Sequence, residues 1–151
     1  MKYFPALVLT FLFATLSSAY AFDFDQYLQG DLDKLLATAP KIRSGVKMVV
    51  QQKLHFRAVI ASPLQNCNTD ILKRTMVMQG NKKEVVDKMA LTKCLNLRSA
   101  KGATLLVYIE DKVAERLLRE AKPGAVIDVF CSYLFISPVG PTLLVNEFKK
   151  I

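Results

Sequence analysis

Residues 104–136 read TLLVYIEDKVAERLLREAKPGAVIDVFCSYLFI, and this stretch carries three elements in the plainest form the chain offers. Thr104 to Ile109 is β-branched and apolar, and it follows the turn residues Ala100-Lys101-Gly102, so it reads as a strand. From Asp111 onward Val113, Ala114, Leu117, Leu118 and Ala121 recur at helical spacing. Asp111 stands where a cap is wanted, Glu115 and Arg119 are placed to pair one turn apart, and Lys122-Pro123-Gly124 stops the helix. Ala125 to Ile136 is again a long apolar strand.

Outward from this centre, Pro138-Val139-Gly140-Pro141 is a turn and Thr142 to Phe148 a closing strand. Upstream, Met89 to Leu97 reads as a strand. Val46 to Ser62 alternates, with Leu54, Phe56, Ala58 and Ile60 on one side and His55 and Arg57 on the other, which predicts a long strand with one wet face ended by Pro63. Residues 69–89 admit two readings. Thr69-Asp70 before Ile71 and Leu72 can open a helix, whereas Thr75 to Gln79 before Gly80-Asn81 can be a strand entering a turn. Nearer the start, Phe24, Leu28, Leu32, Leu35 and Leu36 fall at helical spacing, so residues 22–40 predict an amphipathic helix whose aspartates suit its N-terminal end.

Strand, strand, strand, helix, strand, strand is the order of a small, partly open barrel. From about Leu54 to Phe148 the chain resembles an OB-fold, with Glu110 to Lys122 as the helix between its third and fourth strands. The resemblance to exported OB-fold proteins is one of architecture. It implies a mainly β (α+β) domain: an OB-like five-stranded barrel over residues 41–151 preceded by the N-terminal helix, with residues 69–89 as an insertion. An open sheet with helices on one face is the other architecture the same elements allow. OB-folds bind extended polymers or sugars across strands 2 and 3 and the nearby loops. The resemblance therefore points to Lys93, Arg98, Lys101 and Tyr108.

Residues 1–21 hold Lys2, an apolar run from Phe4 to Leu16, and the small residues Ala19-Tyr20-Ala21, which is the pattern of a cleavable export signal. The expected location is periplasmic or secreted, after cleavage near Ala21, with no membrane span left in the remainder. Residues 22–151 suffice for one domain with a proper core. The whole chain carries 21 Lys and Arg against 13 Asp and Glu, so loss of Lys2 leaves +7. Residues 22–40 contribute −3 through Asp23, Asp25, Asp31 and Asp33 against Lys34, which leaves +10 on residues 41–151. Such a surface favours anionic partners, and it also fits one that merely keeps the protein soluble. Cys67, Cys94 and Cys131 match no zinc or redox spacing. In an oxidising compartment they predict one structural bridge, with Cys67–Cys94 favoured because a loop can reach a strand, and Cys94–Cys131 left open.

Motifs for chemistry are missing from this sequence. His55 is the single histidine, no serine lies in a Gly-x-Ser-x-Gly setting, and no glycine loop of the phosphate-cradling kind occurs. The expectation is no catalytic residue, no metal and no cofactor. Basic residues carry the suggestion instead: Lys53 and Arg57 on the first strand, Lys73 and Arg74 after the loop, Lys82, Lys83 and Lys88 beyond them, and the four positions above. The expected function is an exported, non-enzymatic binding module whose basic face meets an anionic envelope component or another secreted protein. Nucleic acid fits the charge but not export. A carbohydrate-binding subunit of a toxin-like oligomer and a secreted hydrolase are the alternatives.

Overall fold

The computed structural model describes residues 21–151, so all of the expected export signal but Ala21 lies outside the described residues. Phe24–Gln26 form a short 3-10 turn, followed by strand β1 (Leu28–Gln29), helix α1 (Leu32–Thr38) and the long strand β2 (Lys47–Ile60). Next come β3 (Gln65–Asn66), helices α2 (Asp70–Met78) and α3 (Lys83–Lys88), then β4 (Lys93–Arg98) and β5 (Thr104–Ile109). Helix α4 (Asp111–Glu120) leads to the final pair, β6 (Val126–Ser137) and β7 (Gly140–Lys150). The domain is mixed α+β and mainly β. Its seven strands form one sheet in the order β1-β2-β6-β7-β5-β4-β3, and a further pairing joins β2 to β4. The strand count of five is corrected here, because the two-residue strands β1 and β3 each add to the sheet.

Alternation decides what each strand buries. On β5 Leu105, Val107 and Ile109 are buried, and on β4 Leu95 and Leu97. They meet Phe56, Ala58 and Ile60 of β2, Ile127, Val129 and Cys131 of β6, and Leu143 and Val145 of β7 in the larger core. Helix α4 closes that core with Val113, Ala114 and Leu117, whereas Leu118 of the same apolar run is exposed. Burial of one such side chain is worth about 1.5–3 kcal/mol before cavity effects.

Strand β6 departs from simple alternation: every residue from Val129 to Ile136 is buried. Its pairing with β7 shifts register between Tyr133 and Phe135, a bulge that lets Leu134 and Phe135 both turn outward. There they join Leu144, Leu91, Leu72 and Met76 of α2 and Val86 of α3 in a second core on the outside of the sheet. A strand covered on both faces reads as an unbroken apolar run.

The N-terminal and middle segments differ from expectation. Residues 22–40 are not one helix. Gly30 donates its N–H to the His55 carbonyl at 2.7 Å and Leu28–Gln29 pair with β2, so the chain stays extended until Asp31 caps α1 by accepting from the Lys34 N–H at 3.1 Å. Residues 69–89 form α2 and α3, which removes the strand reading. Strand β4 starts at Lys93 rather than Met89. Asp111 does not cap α4; its carboxylate accepts from the Thr92 N–H at 2.8 Å and hydroxyl at 2.9 Å. Arg116, not Arg119, makes the pairs on that helix, with Glu120 and Glu147.

Candidate functional site

The α2–α3 hairpin is held at both ends. Before α2, Cys67 is bridged to Cys94 with the two Cα atoms 5.9 Å apart, while Cys131 is free and buried. Asn68 Oδ1 accepts from the Asp70 N–H at 2.8 Å, and the buried Thr69 hydroxyl donates to the Leu91 carbonyl at 2.8 Å. After α2 the chain reverses at Gly80, whose φ of +94° is a left-handed value that suits glycine. Asn81 Nδ2 donates to the Met76 carbonyl at 2.8 Å, and Gln79 Nε2 donates to the Leu134 carbonyl of β6 at 2.5 Å. Beyond α3 the Asp111 contact to Thr92 fastens the other end. The hairpin is thus fixed on the second core instead of hanging as a loop.

Its outer side carries an open groove of about 680 Å³ lined by Asp70, Lys73, Arg74, Val77 and Met78 of α2 and by Lys83 and Asp87 of α3. Helical spacing places 70, 73, 74, 77 and 78 on one side of α2. Lys83 and Asp87 form an i,i+4 pair at 2.5 Å, and that hydrogen bond holds the Lys83 ammonium above its ordinary pKa. Lys73 and Arg74 make no ion pair among the described residues, so their charges face the groove uncompensated within 4.0 Å. With Asp70 and Asp87 also in the lining, the arrangement can hold an anion at its Lys73 and Arg74 end, beside Val77 and Met78.

The other expected residues are dispersed. Lys93 Nζ donates to Asn66 Oδ1 at 2.5 Å next to the disulfide, and Arg98 is exposed at the far end of β4. Tyr108 stands opposite Cys94, packs against the second core and donates to the Asn68 carbonyl at 3.5 Å; burial raises its pKa. Lys101 lies in the β4–β5 turn, where its N–H donates to Asp33 at 3.1 Å. Strands 2 and 3 of the expected barrel therefore do not gather Lys93, Arg98, Lys101 and Tyr108 into one surface. Of the eight positions, Lys73 and Arg74 share a groove.

Lys53 and Arg57 belong to a different surface. Lys53 donates to Gln26 and lies 5.6 Å from the Tyr27 ring centroid, and Arg57 Nε is 3.3 Å from Asp128. Between them His55 stacks flat on Phe130 at 4.3 Å, with Phe24 and Tyr27 edge-on to the same ring and Lys149 Nζ 3.5 Å above Phe24. His55 is therefore mostly covered, not the exposed strand residue that alternation suggests. Tyr27 donates to Asn146 Oδ1 at 3.3 Å, and burial, with smaller contributions from Cys131, Glu110 and Glu147, pushes its pKa up to about 12. This aromatic cluster seats the N-terminal segment on the sheet. Sequence reasoning missed it because Phe24 fits a helical stripe as well as it fits a ring stack. It also missed Val77 and Met78, which the i,i+3 and i,i+4 pattern from Asp70 to Met78 would have supplied, and Asp87, which reaches the groove only through the packing of α3 beside α2.

Among the described residues no group of three or more His, Cys, Asp or Glu is placed to hold a metal ion, and no helix is long and apolar enough to cross a membrane. Neither a protein-family model nor a curated protein matches this chain.

Proposed function

We propose that this chain is an exported, non-enzymatic binding module that takes an anionic envelope component in the groove between α2 and α3. The observation that carries this reading is the pair Lys73 and Arg74, which line the groove beside Val77 and Met78 and have no carboxylate within 4.0 Å among the described residues, while Lys83 across it is already paired. The scaffold in this proposal is an OB-like barrel. Support comes from the pairings, in which β2 joins β4 and β6, β6 joins β7, β7 joins β5 and β5 joins β4, with α4 between the third and fourth strands of that ring. In such a barrel the hairpin occupies the connection between strands 1 and 2, a place where OB-folds commonly bind. The Cys67–Cys94 bridge fits an oxidising compartment, and the periplasm is the one proposed.

Burial pushes the Cys131 thiol far above its ordinary pKa, which suits a core residue better than a nucleophile. The test is titration of the chain from Phe22 with inorganic polyphosphate at low and at high salt. Binding should occur at low salt, fall as salt rises, and fall again in Lys73→Glu with Arg74→Glu. Equal binding by that double variant and the parent would move the site elsewhere on the molecule.

A further inference from the structure

We infer that the outer side of α2 docks on an anionic lipid surface, with Ile71 and Met78 entering the headgroup boundary, Arg74 between them meeting lipid phosphates and Lys73 reaching those phosphates from the groove flank. This rests on the groove reading above and names its partner. Ile71 and Met78 are seven residues apart, two helical turns, and so lie on one side of α2. They are 57% and 70% exposed, while an adjoining stripe of the same helix buries Leu72, Thr75 and Met76. Arg74 falls between them on the exposed stripe. Helix α2 therefore has one apolar side that the fold uses and a second that it leaves in water.

Scattered exposed apolar residues are ordinary, so the pair alone decides little. What distinguishes it is the company of cations: Lys73, Arg74, Lys82, Lys83 and Lys88 stand in the same hairpin against Asp70, Glu84 and Asp87. Apolar side chains flanked by Lys and Arg are the chemistry of an interfacial helix, in which area and charge act together on anionic lipid. Each half of the pattern is left unexplained by a competitor. A soluble polyanion uses the cations and has no use for Ile71 and Met78, while a second copy of the chain would set the same cations against one another. The hairpin is also presented firmly, because the disulfide before α2 and the Asp111 contact after α3 fix it to the sheet.

Flotation of the chain from Phe22 with phosphatidylglycerol-containing vesicles, beside vesicles of phosphatidylcholine alone, tests the inference. The parent should float with the anionic vesicles and not with the neutral ones. Ile71→Ser with Met78→Ser, and separately Lys73→Glu with Arg74→Glu, should each cut the partition roughly tenfold or more. These side chains point outward, so circular dichroism should match the parent for both variants. Polyphosphate binding with no flotation would overturn the lipid inference and leave the groove reading standing. Loss of both would overturn both. Flotation indifferent to the Ile71 and Met78 changes would also overturn the inference, since charge alone would then account for it.

Discussion

Val107 on β5 and Leu72 on α2 are both completely buried, yet different parts of the chain bury them. Val107 sits in the larger core, where five strands and α4 each contribute an inward row, and alternation alone brings the partners together. Leu72 sits in the outer core, which exists because a helical hairpin lies over Leu134, Phe135 and Leu144 on the other face of the sheet. The inner core depends on the register of long strands. The outer one depends on the hairpin being held in place, so the two should fail differently.

The sharpest break is expected from Phe56→Ala, which empties a buried site on β2 in the larger core. We expect a loss of about 4 kcal/mol, seen as one cooperative transition at lower denaturant, with hairpin and strands unfolding together. Removing the bridge by Cys67→Ala with Cys94→Ala releases a cross-link between residues 27 apart and should cost about 3 kcal/mol. Hydrogen exchange should then rise first in α2 and α3, before β5 and β7. Leu72→Ala should cost about 2 to 3 kcal/mol and raise exchange in the same two helices while the larger core keeps its protection. Uniform exchange across the domain in either hairpin variant would mean that the two cores are one cooperative unit.

The gentlest probe uses the three tyrosines of residues 22–151, since Tyr133 belongs to the larger core, Tyr108 packs on the outer one and Tyr27 joins the N-terminal aromatic cluster. Burial raises the pKa of all three, Tyr27 to about 12. A tyrosine whose folded pKa lies above its unfolded value near 10 adds stability that is present below about pH 10 and lost as pH rises through the folded value. Phenolate absorbance should accordingly stay low past pH 10, and Tyr27→Phe should remove the last step of the rise. A full phenolate signal near pH 10 in the folded protein would show those rings to be solvated.

The inner core was legible in the sequence because its signals are local: period two on β2, β4 and β5, and the spacing of Val113, Ala114 and Leu117 on α4. The continuous run in β6 was also visible as strand. Its cause was not, because the residues that cover its outer face come from α2, some sixty positions earlier. The hairpin itself was ambiguous, since Thr75 to Gln79 satisfies a strand as well as a helix until Gln79 is seen to reach the Leu134 carbonyl. The candidate site suffered in the same way. Lys73 and Arg74 stood out as charges, but their company was fixed only when α3 brought Lys83 across to them. Lys93, Arg98, Lys101 and Tyr108, taken from the analogy with OB-fold strands 2 and 3, are spread along those strands and away from that groove.

Three cysteines on one chain allow three different bridges, and the fold uses one of them. Cys131 is the one left free, and it lies buried in the larger core on β6. Protection of that kind exists only after β6 has been packed. A chain that meets an oxidant while still unfolded has all three thiols on offer, and a link to Cys131 would tie either the hairpin or β4 to the wrong strand. Collapse of the long strands before closure of the bridge would avoid both wrong links. The odd cysteine makes the folding outcome sensitive to timing in a way that the finished structure, with its thiol sealed away, no longer displays.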